Sequence, residues 1–270
     1  MSRVVPRIEL PGVRNLRDLG GHSAADGRVI APRRLFRAEA LAARNANESN
    51  AAWDDAHVEH YASLGLATVI DLRADEEKAE IPSAWATPTG GAYFEVPISD
   101  GAPGTETDLL GDVLAGRSSS FAADDLGEYY VATLERRAPE FGTVVRTIAE
   151  RERHPVLVHC SAGKDRTGLA IALVLESLGV DRDAVLEDFM LTGVFRPNRV
   201  DHYRESFARL GVNVDDVRAM FETPREAMEQ ALASLDDQYG SASGYLQDRA
   251  GVSADALGRL RDALLIERMP

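Results

Sequence analysis

The run HPVLVHCSAGKDRTGLAIALVLESLG, residues 154–179, changes its pattern in the middle. HPVLVHC is short, apolar and rich in valine, and it reads as a buried strand. RTGLAIALVLESLG is apolar on nearly every side. That predicts a central buried helix capped by Gly179. Between them lies a polar loop that opens on Cys160 and closes on Lys164, Asp165 and Arg166. A strand that runs through a tight loop into a buried helix is a building block of α/β folds.

Working outward, GVRNLRDLGGHSAADGRVIAPRRLFRAEAL reads as short strands and turns, WDDAHVEHYASLG as a helix, and LATVIDLR and AYFEVPI as strands. Two helices, split near Pro139, are expected from Asp124 to Arg153. Beyond the central helix the pattern is helical to the end. Thr223, Pro224 and Glu226 read as cap, first turn and capping box of one helix, and Ser253 as the cap of the last. The expected fold is α/β, a central twisted sheet flanked by helices with a helical C-terminal part, forming a single domain over 1–270.

The chain has 270 residues, 44% hydrophobic and 27% charged, enough to bury a sizeable core. Its formal charge of −14 repels nucleic acid and anionic membrane at long range, so any anionic substrate needs a local basic site. Of 30 basic residues, 28 are arginine, and the two lysines are Lys78 and Lys164. A lysine in the cysteine loop therefore stands out. One cysteine excludes an intramolecular disulfide and a cysteine-rich metal site, and the six histidines lack zinc-type spacing. The N-terminus lacks a signal-peptide core and no stretch approaches a membrane span. A cytoplasmic location is the expectation.

The loop's chemistry follows from its frame. Backbone N–H groups gathered at the start of a helix make a site for a tetrahedral dianion. The thiolate is the nucleophilic form of cysteine, and helix N-termini with nearby cations favour it. Arg166 can reach back over the loop and bind two phosphoryl oxygens with its planar fork. Covalent catalysis then splits hydrolysis into transfer to sulfur and attack by water.

His159-Cys160, five residues, Arg166, then Thr167-Gly168 is the motif of the cysteine-dependent phosphatases. The fuller HCSAGKDRTG resembles the bacterial tyrosine-phosphatase-like family of the mycobacterial B-type enzymes. NLRDLGG (15–21), TVIDLRADEE (68–77), ALVLESLGVDRDAVLEDFM and YGSASGYLQDRAGVS (239–253) match that family's pattern in order. The resemblance implies a metal-free, cofactor-free phosphatase. Cys160 would be the nucleophile, Arg166 the phosphate clamp, and Ser161, Ala162, Gly163, Lys164, Asp165 and Arg166 the phosphate cradle. His159 would support the loop, and Thr167 would ease breakdown of the phospho-cysteine. Phosphate or vanadate would occupy the site. Two aspartates compete as general acid. Asp165 matches the position used by related lipid phosphatases and is favoured. Asp100, after the strand AYFEVPI, matches the separate-loop position of dual-specificity enzymes. Lys164 adds a second positive charge, which suits a substrate with more than one phosphate, such as a phosphoinositide.

Plainer readings stand beside these. A lone buried cysteine is usually a small hydrophobe, but that leaves Arg166 and Gly163 unexplained. A nucleotide-binding loop would need an earlier glycine where Val158 stands. Asp71 with Arg73 reads equally as an ion pair or a functional pair. Asn15, Arg17, Asp18, Gly20 and Gly21 read as a structural turn near the site, and Arg37 similarly, with substrate contact open. Of Tyr129 and Tyr130, one belongs to the core. The segment 195–238 reads as ordinary packing or as a helical lid, the lid slightly ahead. The function expected is a phosphatase of protein phosphotyrosine, with phosphoserine, phosphothreonine or phosphoinositides as further substrates. The alternative is a phospho-ligand binding module without turnover. A sulfur-transfer or reductase role fits less well, since reductases of this kind need a second cysteine.

Overall fold

The computed structural model describes residues 7–10, 12–41, 58–83, 91–99, 113, 119–196 and 200–268. Among these residues the main sheet has five strands: β1 (Arg17–Asp18), β3 (Leu35–Ala38), β4 (Thr68–Asp71), β5 (Ala92–Glu95) and β6 (Val156–His159). Their order is β1-β3-β6-β4-β5, with β1 antiparallel to β3 and the other pairs parallel. A small second sheet pairs β2 (Val29–Ile30) with β7 (Leu265–Ile266).

The register explains the apolar runs. Leu157 lies between Phe36 and Val69, and these three join a core on one face with Leu16, Leu41 and Tyr61. Val156, Val158, Leu35 and Ile70 point to the other face, where most helices pack. A parallel strand covered on both faces has no polar side to show.

The helices are α1 (Val58–Ala62), α2 (Asp75–Glu80), α3 (Ala123–Arg136), α4 (Ala138–Ile148), α5 (Asp165–Ser177), α6 (Arg182–Phe195), α7 (Arg204–Arg209), α8 (Arg225–Tyr239), α9 (Ala242–Asp248) and α10 (Ala254–Leu264). Helix α5 is buried along nearly its whole length, as its sequence predicts, and closes at Gly179 with φ +80°. Ser253 caps α10 through the amide of Ala256. The expected cap at Thr223 is different. Helix α8 starts at Arg225 with Pro224 as its cap residue, and the Thr223 hydroxyl donates to the Met190 carbonyl instead. Among the described residues no helix is long and apolar enough to cross a membrane.

Strand β6 sits at the centre of the sheet, and the cysteine loop leaves its carboxyl end between β3 and β4. Crevices at the carboxyl ends of parallel strands are where open α/β sheets bind ligands. Gly163 makes the turn possible. Its φ is +65°, and a Cβ there would stand 2.2 Å from the Ala38 carbonyl oxygen at the end of β3.

Candidate active site

The loop hangs from its carbonyls. Ser161 O accepts from the Ala40 amide at 3.0 Å. Ala162 O and Gly163 O accept from Asn15 Nδ2 at 3.3 and 3.0 Å, and Gly163 O also accepts from Arg37 at 2.7 Å. In a trans peptide the C=O and the following N–H point opposite ways. With these carbonyls tied to the protein body, the amides of residues 162, 163 and 164 turn the other way. They join the free N–H groups at the start of α5, and such an array holds anions. Cys160 lies at the foot of this array, 2% exposed.

Under the loop is an ion cluster that the sequence did not reveal. Asp188 of α6 takes Arg17 at 2.7 Å and Arg37 at 2.5 Å, all three side chains fully enclosed. Burial works against the Asp188 charge, but the two guanidiniums outweigh it and hold the carboxyl well below the usual carboxylate range. Burial, with Arg37 alongside, brings Arg17 down to about 10, still charged at neutral pH. Arg37, fully enclosed, holds the loop from below through Gly163 O.

On the other flank, Arg73 doubly embraces Asp71, which also accepts from the Tyr93 hydroxyl at 2.5 Å. His159 Nδ1 lies 3.7 Å from Asp71 and 3.1 Å from the Cys160 carbonyl. Burial lowers the His159 pKa, against the opposing pull of the Asp71 charge. Asp71 and Arg73 thus form a buried ion pair placed against the loop.

Arg166 is held by a residue given no role in the sequence reading. Glu77 of α2 accepts from both terminal nitrogens of Arg166, one at 2.8 Å, and from the Ser161 hydroxyl. Burial opposes the Glu77 charge. The hydrogen bonds and charge of Arg166, with Ser161, prevail and bring the carboxyl down to about 2. Arg166 Nη1 also donates to the Ile98 carbonyl at 3.2 Å, so the guanidinium is fixed in place by two partners. Glu77→Gln is expected to lower kcat/KM about 10- to 100-fold, the scale of hydrogen bonds to charged groups. It should also cost about 2 kcal/mol of stability at pH 7, discounted because the side chain is 31% exposed. A depressed carboxyl stabilises fully above its unfolded pKa and loses that contribution as pH falls through its folded value. Urea titrations of the two proteins should therefore differ at pH 7 and converge as the pH falls from 4.5 towards about 2.

Lys164 and Asp165 complete the loop. Lys164 Nζ donates to the carbonyls of Met220 and Glu222 at 2.7 and 3.0 Å and lies 3.2 Å from Asp165 Oδ1. The same oxygen accepts from the Tyr130 hydroxyl at 2.5 Å. Tyr130 is the core member of its pair, and Tyr129 is half-buried. Thr167 Oγ1 is buried with no hydrogen-bond partner among the described residues. Asp100, the rival acid, lies outside the described residues. Within 195–238, helix α8 packs Ala227, Met228, Ala231, Leu232 and Leu235 into the core, whereas the carbonyls of Met220 and Glu222 reach the loop at Lys164. Among the described residues no group of three or more His, Cys, Asp or Glu is arranged to hold a metal ion.

Residues 8–266 match the profile of the tyrosine phosphatase family. The chain is similar to the triple specificity protein phosphatase PtpB of Mycobacterium tuberculosis, 31% identical over 95% of this chain and 98% of that one. A tyrosine-protein phosphatase of Nostoc commune is 30% identical over 77% of this chain and 69% of its own. A putative tyrosine-protein phosphatase of Cupriavidus necator is 28% identical over 91% and 84%.

Proposed function

The chain belongs to the tyrosine phosphatase family, and from that premise we propose that it hydrolyses phosphotyrosine in proteins, and phosphoserine, phosphothreonine and phosphoinositides as well, through a phospho-cysteine. The observation that carries the proposal is the loop itself. Cys160 lies at its foot, its carbonyls are tied away from the bowl, and Arg166 is held by Glu77. In the first step the Cys160 sulfur attacks phosphorus as the ester P–O bond breaks. The amides and Arg166 hold the equatorial oxygens, where charge gathers. Asp165 gives its proton to the leaving oxygen. In the second step Asp165 takes a proton from water as that water attacks phosphorus and the S–P bond breaks. Thr167 Oγ1, with no hydrogen-bond partner among the described residues, is placed to support the departing sulfur.

Breadth of substrate would require Lys164 Nζ to exchange one of its three partners, the carbonyls of Met220 and Glu222 and the Asp165 carboxylate, for a second phosphate. The relative named as a triple specificity phosphatase supports the same breadth. The expected site of action is the cytoplasm. A panel of phosphotyrosine, phosphoserine and phosphothreonine peptides with inositol phosphates, compared by kcat/KM, tests the proposal. Absence of turnover on every member, with phosphate still bound, would establish a binding module instead.

Segment 200–222 is proposed as a lid. The rings of Tyr203, Phe207 and Phe221 pack together with centroids 5.5–6.2 Å apart, Phe207 fully buried. Loosening it by Phe207→Ala is expected to speed inactivation of Cys160 by peroxide several-fold. An unchanged inactivation rate in the folded variant would count against the lid.

A further inference from the structure

Tyr130 is an ordinary core tyrosine by position. It lies on the face of α3 that also buries Leu126, Thr133 and Leu134, at helical spacing. Its ring meets Phe189 edge-on, centroids 6.1 Å apart and planes at 87°, and Phe189 in turn presses on Gly168 of α5. The ring has nowhere to turn. A buried tyrosine hydroxyl needs a partner, and here the partner is the carboxylate of Asp165 rather than a backbone carbonyl.

Both contacts to that carboxylate, from Tyr130 and from Lys164, fall on Oδ1. Burial first, and then the neighbouring Asp165 charge, push the Tyr130 hydroxyl well above the ordinary tyrosine value, so it stays a donor at every working pH. An oxygen that already accepts from a hydroxyl and faces an ammonium is a poor place for an acidic proton. Oδ2 is the better one.

We infer that Tyr130 is the positioning residue for general acid catalysis: by holding Oδ1 of Asp165 it places the transferable proton on Oδ2 and directs that oxygen at the leaving group. In the first step the Oδ2–H bond breaks as the leaving oxygen gains the proton. In the second Oδ2 recovers one from water. Tyr130 keeps its own proton throughout. The inference rests on the reading of Asp165 as the acid.

Tyr130→Phe keeps the ring and removes the hydroxyl. Its thermal midpoint should stay within a few degrees of the wild type. With a phosphoserine peptide, whose alkoxide leaves poorly, kcat is expected to fall about 10-fold. With p-nitrophenyl phosphate it should fall less than about 2-fold, and KM should stay level for both, as expected when a contribution specific to the transition state is lost. In the Asp165→Asn background the same change should add nothing to either substrate. Equal losses on both substrates would make Tyr130 a packing residue and overturn the inference. If Asp165→Asn alone shows the leaving-group dependence, the inference fails and the acid assignment stands. If neither variant shows it, both fail. Should Tyr130→Phe not fold, 2,3-difluorotyrosine at position 130, a stronger donor of the same shape, takes its place. It should change kcat on the phosphoserine peptide and leave the nitrophenyl ester unaffected, and equal or absent effects would overturn the inference.

Discussion

Cys160→Ser is expected to remove hydrolysis of every substrate, including p-nitrophenyl phosphate, by a factor on the order of 10⁵–10⁶, the scale on which a covalent nucleophile is lost. A serine hydroxyl at this place lacks a base. His159 is buried and faces the Cys160 carbonyl with Nδ1, so it is not placed to deprotonate an alcohol. Arg166→Ala is expected to cost about 10³–10⁵, as arginine donors on transferring phosphoryl groups do. It should do so chiefly in kcat, because charge on the equatorial oxygens matters most in the transition state. Chelators should leave the rate unchanged, and vanadate should inhibit the wild type. Steady-state assays with the purified variants decide the matter. Residual turnover above about 1% in Cys160→Ser would end the covalent mechanism.

Asp165→Asn is the second large effect. A general acid matters most when the departing oxygen is strongly basic, and proton donation contributes about 10²–10⁴-fold. Turnover of a phosphoserine peptide or an inositol phosphate should therefore fall by about that factor. Turnover of p-nitrophenyl phosphate, which leaves well as the anion, should fall only a few-fold. The substitution also leaves Lys164, 3.2 Å from Asp165, without its neighbouring negative charge, so substrate binding should tighten. The comparison belongs on kcat for that reason. Asp100→Asn should affect both substrates mildly. If Asp100→Asn shows the leaving-group dependence and Asp165→Asn does not, the acid comes from the separate loop.

What the sequence made legible was local. The strand, cysteine loop and helix occupy one continuous run, and each carries its own pattern: an apolar strand, a glycine with positive φ and an all-round apolar helix. The nucleophile and clamp lie inside that run. The residues that hold the loop do not. Glu77 lies 89 residues from Arg166, Asn15 lies 148 from Gly163, and Asp188 lies 171 from Arg17. Nothing along the chain announces such pairings. Two signals were nonetheless available. Asp188 is a carboxylate in the apolar face of VLEDFM, which requires a buried partner. Glu77 ends the TVIDLRADEE match. Thr223 does not cap α8, because the helix starts one residue later than its pattern predicts, at Arg225, and the hydroxyl donates to the Met190 carbonyl across the packed helices.

The Asp188 cluster has a consequence for the birth of the enzyme. Ribosomes deliver the N-terminus first, so Arg17, Arg37 and the complete loop 160–166 emerge before their shared counter-ion. Until Asp188 leaves the exit tunnel, bringing the two guanidiniums together under the loop is opposed by their repulsion, with no carboxylate to offset it. We therefore expect the growing polypeptide to stay catalytically silent, although its nucleophile and clamp are already exposed to the cell. Ribosome-bound chains arrested before and well after residue 188 would report this directly, since hydrolysis by the shorter ones would refute it. Translation itself, on this account, withholds phosphatase activity from an unfinished protein.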